Sequence, residues 1–447
     1  MNATITIRNA NAVLPGGVVP TDVLVEHGKI AALGQGLQPK GEIIDATGLI
    51  LLPGVIDPQV HFREPGLTHK EDLHTGSRAA AAGGVTSFLD MPNNKPAITT
   101  RQLMAEKKQS AAQNCVVNYG FFIGATPDNL EELNAVENVC GIKIFMGSST
   151  GSLLVDKRED LEKIFANGSR LIAVHAEDEG IMNDNRALMG DNLKVSMHPR
   201  IRDEAAALKA TTLAVELSLK YQRRLHILHL TTAEETELLR RLPANNRIST
   251  EVCPQHFILT APDCYQRLGT LAQMNPPLRT QRHADALWQG LKDGVINCIA
   301  TDHAPHTLEE KNQPYGTAPS GMPGVETSLP LMLNRVNQGL CNLQDIARWM
   351  CDAPARLYGM IGKGRIEVGY DADLVLVDLA LKKTITRGQL FTKVGWSPYE
   401  GMSLQGWPVR TMVHGQTVFL NGQILEGIRG QELRFDSSAA ESTNQRR

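Results

Sequence analysis

The chain of 447 residues has no CxxC pair among its seven cysteines, which are odd in number and scattered. That absence argues against a disulfide scaffold or a structural zinc knuckle, and it fits a reducing cytoplasm with most thiols in a core. Charge of neither sign is in excess, since 45 Lys plus Arg stand against 48 Asp plus Glu. Such a balance supplies no global attraction for nucleic acid or an anionic membrane, and a small molecule becomes the expected partner. No apolar run approaches a bilayer span. The opening MNATITIRNANAVLPGG alternates like a strand and lacks a basic segment followed by an apolar stretch, so no signal peptide is expected. Also missing is a glycine-rich phosphate loop after the first central apolar run, which counts against a doubly wound nucleotide fold.

What the chain does have is a repeat of pattern. Between Gly54 and His306 eight short β-branched or apolar runs each end in polar residues: GVIDPQVH, VTSFLDMPN, VVNYGFFIG, GIKIFMG, RLIAVHAE, RLHILHL, RISTEVCPQH and VINCIATDH. The segments between them, such as HTGSRAAAAGG and IRDEAAALKATTLAVELSLKYQ, favour helix, and Gly83-Gly84 reads as a helix stop. Strand and helix alternating in this way predict an α/β protein built on a (β/α)8 TIM barrel, with the polar strand ends gathered at its mouth. The flanks differ. ATITIRNANAV, DVLVEHGKIAALG and EIIDATG near the start, and ADLVLVDL and RTMVHGQTVFLNGQIL near the end, are short alternating strands with Gly and Asn turns. We therefore expect residues 1–52 and 363–430 to meet in a small β-sandwich, residues 53–362 to form the barrel, and residues 431–447 to be a disordered tail. The stretch HTLEEKNQPYGTAPSGMPG reads as a mobile loop at the mouth.

In GVIDPQVHFREPG the alternation of a strand would place Asp57, Gln59, His61 and Arg63 on one face. The other runs bring Lys143, His175, His229 and Asp302 to strand ends. Taken singly, a strand-end histidine is most often a hydrogen-bonded structural group, Lys143 a barrel lysine paired with a carboxylate, and Asp302 a strand-end cap. Taken together, imidazoles and a carboxylate at the mouth ends of several strands form a ligand set for zinc or a related ion, with a position left for water. A buried Lys143 with a depressed pKa could add carbon dioxide, and the resulting carbamate could bridge two metals that acidify a shared water. Asp302 could then collect a proton and pass it to a leaving nitrogen.

The runs DPQVHFREPG, FLDMPN, GIKIFMG, VHAE, LHL, TEVCPQH, MNPPLR, IATDHAPH and SGMPGVET resemble, in order and spacing, the dihydroorotases of the amidohydrolase superfamily. GRIEVGYDADLVLVDL looks like the sandwich segment of the same superfamily. The resemblance implies reversible cyclisation of N-carbamoyl-aspartate to dihydroorotate in pyrimidine synthesis. It makes Lys143 the carboxylated bridge, His175 and His229 ligands of one metal, and His61 and Asp302 ligands of the other, with Asp302 also the general acid/base. Arg63 would fork a substrate carboxylate, and Asn93, Asn275 and His306 would match the other substrate contacts. A homodimer or higher homo-oligomer, and association with aspartate transcarbamoylase, are further expectations of the family.

Two rivals bear on particular residues. An allantoinase or hydantoinase would share the lysine strand, yet allantoin has no carboxylate to match Arg63. A non-catalytic scaffold for aspartate transcarbamoylase is raised by Gln59, which stands where a first histidine ligand is wanted. Retention of His61, Lys143, His175, His229 and Asp302 favours activity. Because an amide oxygen suits zinc less well than imidazole, the expectation is one tight zinc and a second that is weak or absent.

Overall fold

A computed structural model describes residues 4–148, 153–243 and 246–436. All eight central runs are strands: β6 Val55–Val60, β7 Val85–Asp90, β8 Asn118–Gly124, β9 Gly141–Phe145, β10 Ile172–His175, β11 Leu225–Ile227, β12 Ile248–Val252 and β13 Cys298–Ile299. Each pairs with the next in parallel. The ring closes where Val60 bridges His303, with His61 N–H donating to the His303 carbonyl at 2.8 Å. Every residue of these strands is buried, because one face looks into the barrel and the other onto helices. The helices start where a side chain can accept from the first turn. Asp72 opens Leu73–Ala82 by accepting from Thr75 N–H, and Asp203 opens Glu204–Tyr221 by accepting from Ala206 N–H.

The terminal segments meet in one nine-stranded mixed sheet. Its first half is β1 Ile5–Leu14, β2 Gly17–Glu26, β3 Lys29–Gly34, β4 Glu42–Asp45 and β5 Ile50–Pro53. Its second half is β14 Leu374–Thr384, β15 Ser403–Val413, β16 Gln416–Leu420 and β17 Gln423–Ile424. The seam is β5, which runs parallel to β1 and antiparallel to β14 and leads directly into the first barrel strand. This sheet buries its own apolar cluster, including Ile7, Val23, Val25, Leu51, Leu374 and Met412.

Three local expectations change. The region expected to belong wholly to the terminal domain sends residues between β14 and β15 onto the barrel. There Trp396 and Tyr399 pack with Tyr265, Met274 and Met322, an apolar surface the sheet cannot supply. The tail expected from residue 431 begins as an ordered stretch, because Leu433 is buried and its N–H donates to the Tyr119 carbonyl at 2.8 Å. Residues 437–447 lie outside the described residues. The loop expected to be mobile carries a short helix, Leu308–Lys311, capped by Thr307. It is pinned by buried Lys311, whose ammonium donates to the carbonyls of Gln273 at 2.9 Å and Pro319 at 3.0 Å.

Candidate active site and metal centre

The mouth end of the barrel brings Gln59, His61, Lys143, His175, His229, Asn275 and Asp302 around one cavity. Strand geometry alone places only some of them. His175 is the last residue of β10 and Lys143 the middle of β9, whereas His229 and Asp302 follow their strands with φ of 36° and 47°. Arg63 has φ of 62°, so the alternation that put Asp57, Gln59, His61 and Arg63 on one face ends with β6 at Val60. Left-handed backbone in a residue with a Cβ costs about 1–3 kcal/mol and persists where surrounding structure enforces it. Three such residues at one mouth mark the place where the fold maintains strain. Asp57 also leaves the predicted set, for its carboxylate accepts from the Thr301 hydroxyl at 2.5 Å and the Thr301 N–H at 3.1 Å. It fastens the first barrel strand to the end of the last, and burial pushes its pKa up to about 7.

Two pairs of donor atoms face each other across the cavity wall. His175 Nδ1 lies 3.2 Å from His229 Nε2, and His61 Nε2 lies 2.9 Å from Asp302 Oδ1. The outer nitrogens explain the inner ones. His175 Nε2 meets Glu177 Oε2 at 2.8 Å and His61 Nδ1 meets Asn93 Oδ1 at 2.7 Å, contacts that place the ring protons on the outside. The inner nitrogens then present lone pairs, one to another imidazole and one to a carboxylate. His175 Nδ1 can accept from His229 Nε2–H, whereas a His61 lone pair facing the Asp302 carboxylate calls for a cation. Two imidazole nitrogens on one tetrahedral zinc stand about 3.3 Å apart, given Zn–N bonds of roughly 2.0–2.1 Å. The donor set therefore fits a divalent metal on the His175–His229 side and another position on the His61–Asp302 side. Burial lowers the pKa of His175, and that of His229 still further, so both rings are neutral and able to ligate.

Lys143 is buried and its Nζ has no hydrogen-bond partner among the described residues, 4.4 Å from the Phe145 ring centroid. Burial drops its pKa to about 7 against the opposing pull of Asp302 and Glu251. A large neutral fraction at physiological pH follows, which is the form that reacts with carbon dioxide. Gln59 donates from Nε2 to Asp302 Oδ1 at 3.1 Å while its Oε1 is buried without a partner. The amide thus approaches Asp302 through its hydrogens, an arrangement in which it supports the carboxylate.

The substrate-contact candidates divide. Arg63 is buried beside the cavity, donating from Nε to the Pro305 carbonyl at 3.2 Å with Nη2 3.1 Å from His306 Nε2. Burial lowers its pKa only to about 10, so it remains charged. Asn275 lines the cavity with an unpartnered Oδ1, whereas Asn93 stands behind His61.

Sequence reasoning missed Glu177, Arg202 and Lys70. Arg202 donates to Glu177 Oε2 at 3.0 Å through Nε and 2.6 Å through Nη2, and Nη2 also reaches the Ser148 carbonyl at 2.6 Å. Burial alone would raise the Glu177 pKa, yet Arg202 and His175 hold it well below the usual carboxylate range. The glutamate of VHAE, two residues past His175, was visible as a signal; Arg202, 25 residues further on, was not. A different trio, His226, Glu251 and Cys298, also brings possible ligand atoms within 4.8 Å of one another on the inner barrel wall. Both His226 nitrogens are already engaged, with Ser249 Oγ at 2.8 Å and Glu251 Oε2 at 3.0 Å, and burial pushes the Cys298 thiol well up, so it is protonated.

Comparison with known proteins identifies the family of the chain. Residues 50–418 match the model of the amidohydrolase family. The dihydroorotase of Methanosarcina mazei is 36% identical over 438 residues, spanning 94% of this chain and 95% of that protein. The dihydroorotase of Halobacterium salinarum is 36% identical over 432 residues, spanning 95% and 99%. Among solved structures, the L-hydantoinase (dihydropyrimidinase) from Arthrobacter aurescens superposes with a TM-score of 0.92 at 30% identity, covering 97% of this chain and 100% of that one.

Proposed function

We infer that this chain, which belongs to the amidohydrolase family, is a dihydroorotase acting reversibly between N-carbamoyl-L-aspartate and (S)-dihydroorotate in pyrimidine synthesis. The observation that carries the choice of substrate over other cyclic amides is Arg63. It is a buried, charged guanidinium beside the cavity, where dihydroorotate would place a carboxylate and hydantoin or allantoin would not.

His61 and Asp302 would hold one metal, His175 and His229 the other, and Lys143 as its carbamate would bridge them. Zinc is the ion we assign, tight on the His175–His229 side and weak or absent beside Gln59. Bound there, divalent metal would supply Lewis acidity and lower the pKa of a water held at the site. Arg63 and Asn275 would hold the substrate's anionic and polar edges and set the ring amide over Asp302. As the ring carbonyl gains the water oxygen, Asp302 takes the proton released. When the ring C–N bond breaks, Asp302 returns that proton to the nitrogen. The reverse sequence closes the ring and releases water. Neutral His175, oriented through Glu177, and neutral His229 would keep lone pairs inward throughout. A homo-oligomer, a cytoplasmic setting and association with aspartate transcarbamoylase complete the reading.

The test is turnover of the purified protein with dihydroorotate, hydantoin and allantoin, alongside metal analysis. Dihydroorotate turnover well above the other two is expected. Preference for hydantoin would replace the reading with a hydantoinase, and no turnover with metal fully loaded would favour the scaffold. After mild chelation one metal should leave first, and Gln59→His should retain more of it. Two equally tight metals in the wild type would overturn the asymmetry.

A further inference from the structure

Lys70 lies in the loop before helix Leu73–Ala82, outside every motif singled out from the sequence. Its ammonium stands 2.9 Å from His306 Nδ1 and 2.9 Å from Glu310 Oε1. An ammonium has only hydrogens to offer, so Nδ1 must be the lone-pair nitrogen of that ring. The opposite nitrogen gives the same answer independently, because His306 Nε2 lies 3.1 Å from the Ser320 carbonyl, which can only accept. Both contacts therefore demand a neutral ring protonated at Nε2. Arg63 Nη2, 3.1 Å from that same Nε2, then cannot donate to it. The Nε2–H is taken up by the Ser320 carbonyl, and Arg63 Nη2 is left facing a ring nitrogen that offers it no lone pair.

We propose that Lys70 is a positioning residue for the substrate carboxylate: it locks His306 as the Nε2–H tautomer donating to Ser320, so that Arg63 Nη2 finds no acceptor on the ring and stays available to the carboxylate. The proposal rests on the dihydroorotase reading for the identity of the anion, but not for the tautomer. The charged groups facing the ring are Arg63 from the loop after β6, Lys70 from the following loop, and Glu310 and Lys311 from helix Leu308–Lys311. Burial lowers the pKa of the ring well below its ordinary value, with Arg63 and Lys70 adding to the effect and half-buried Glu310 opposing it, so the ring is neutral. A ring so held has Nδ1 capped and its proton pledged, and it is unsuited to shuttle protons in place of Asp302.

The experiment uses the full metal-loaded chain. Nitrogen-15 NMR of labelled histidines, with His306 assigned by its loss in His306→Gln, should show the Nε2–H tautomer in the wild type. In Lys70→Met the ring should populate the Nδ1–H form. KM for dihydroorotate should rise about tenfold, as befits loss of a charge-assisted hydrogen bond, while kcat falls far less and metal content is unchanged. Lys70→Arg should restore most of the affinity. An Nδ1–H ring in the wild type, or a KM unmoved in Lys70→Met, would overturn the proposal. The wild-type tautomer decides the matter even if a variant does not fold. Failure of the wild type to turn over dihydroorotate would instead count against the functional reading, leaving the tautomer result to stand by itself.

Discussion

The barrel interior holds two groups of metal-competent side chains, and they differ in what their atoms already do. At the mouth, Lys143 Nζ, His229 Nδ1, Gln59 Oε1 and Asn275 Oδ1 have no hydrogen-bond partner among the described residues, and His229 and Asp302 sit in left-handed backbone. On the inner wall, His226, Glu251 and Cys298 lie close together, yet His226 is bonded at both nitrogens, Cys298 retains its proton, and of the trio Glu251 Oε1 alone lacks a partner among the described residues. Register places His226 level with Lys143, each beside Ala173 of β10, so burial and position along the barrel are nearly shared. Proximity of ligand-type residues is therefore a weak sign of a metal site. Unspent hydrogen-bonding capacity, maintained at the cost of desolvation and strain, is the stronger one.

The sharpest way to break that contrast is Lys143→Ala. This variant should lose essentially all turnover and at least one metal, with partial recovery by short carboxylic acids that can occupy the vacated bridge. Full metal and full rate would remove Lys143 from the site. The same lysine predicts a pH signature in metal-free protein. Its pKa is about 7 in the folded state against an ordinary 10.5, so between those values the folded chain binds fewer protons than the unfolded one. Stability of wild type relative to the variant should thus rise with pH across that window, as chemical denaturation would reveal.

Asp302→Asn comes next. It should still bind dihydroorotate but turn over about 10²–10⁴-fold more slowly, the range for loss of a positioned acid/base; near-normal kcat would move that role elsewhere. Arg63→Met should leave metal content intact and cost roughly 2–5 kcal/mol in kcat/KM for dihydroorotate, as for loss of a buried charged partner. Unchanged kinetics would take the substrate carboxylate away from this arginine. The smallest effect belongs to the inner wall. Cys298→Ala should keep the metal stoichiometry and stay within about threefold of wild-type turnover, since a buried, protonated thiol that already donates to the Thr250 carbonyl contributes stability alone. Loss of a metal equivalent in that variant would reverse the comparison.

Most of the architecture could be read from local pattern. A parallel barrel strand is buried on both faces, so it appears as a short β-branched run, and all eight runs became strands. Candidate ligands were legible for a related reason: strand ends at the mouth are where a barrel presents the polar groups of a site. Arg63 shows where local reading stops. Alternation extends a strand indefinitely, but β6 ends at Val60, which bridges His303, 243 residues later, and the backbone turns left-handed at Arg63.

By itself, the sequence determined which elements form and which side chains reach the barrel mouth, since periodicity and residue type act over a few positions. Tertiary structure alone decided which atoms remain free there. It sent Asp57 to Thr301 instead of the cavity, set Arg202 on Glu177 behind His175, and brought Lys70 to His306 across 236 residues. The reason is physical: a hydrogen bond depends on distances of about 3 Å and on direction, and no spacing along the chain encodes those once the partners lie on different strands and loops.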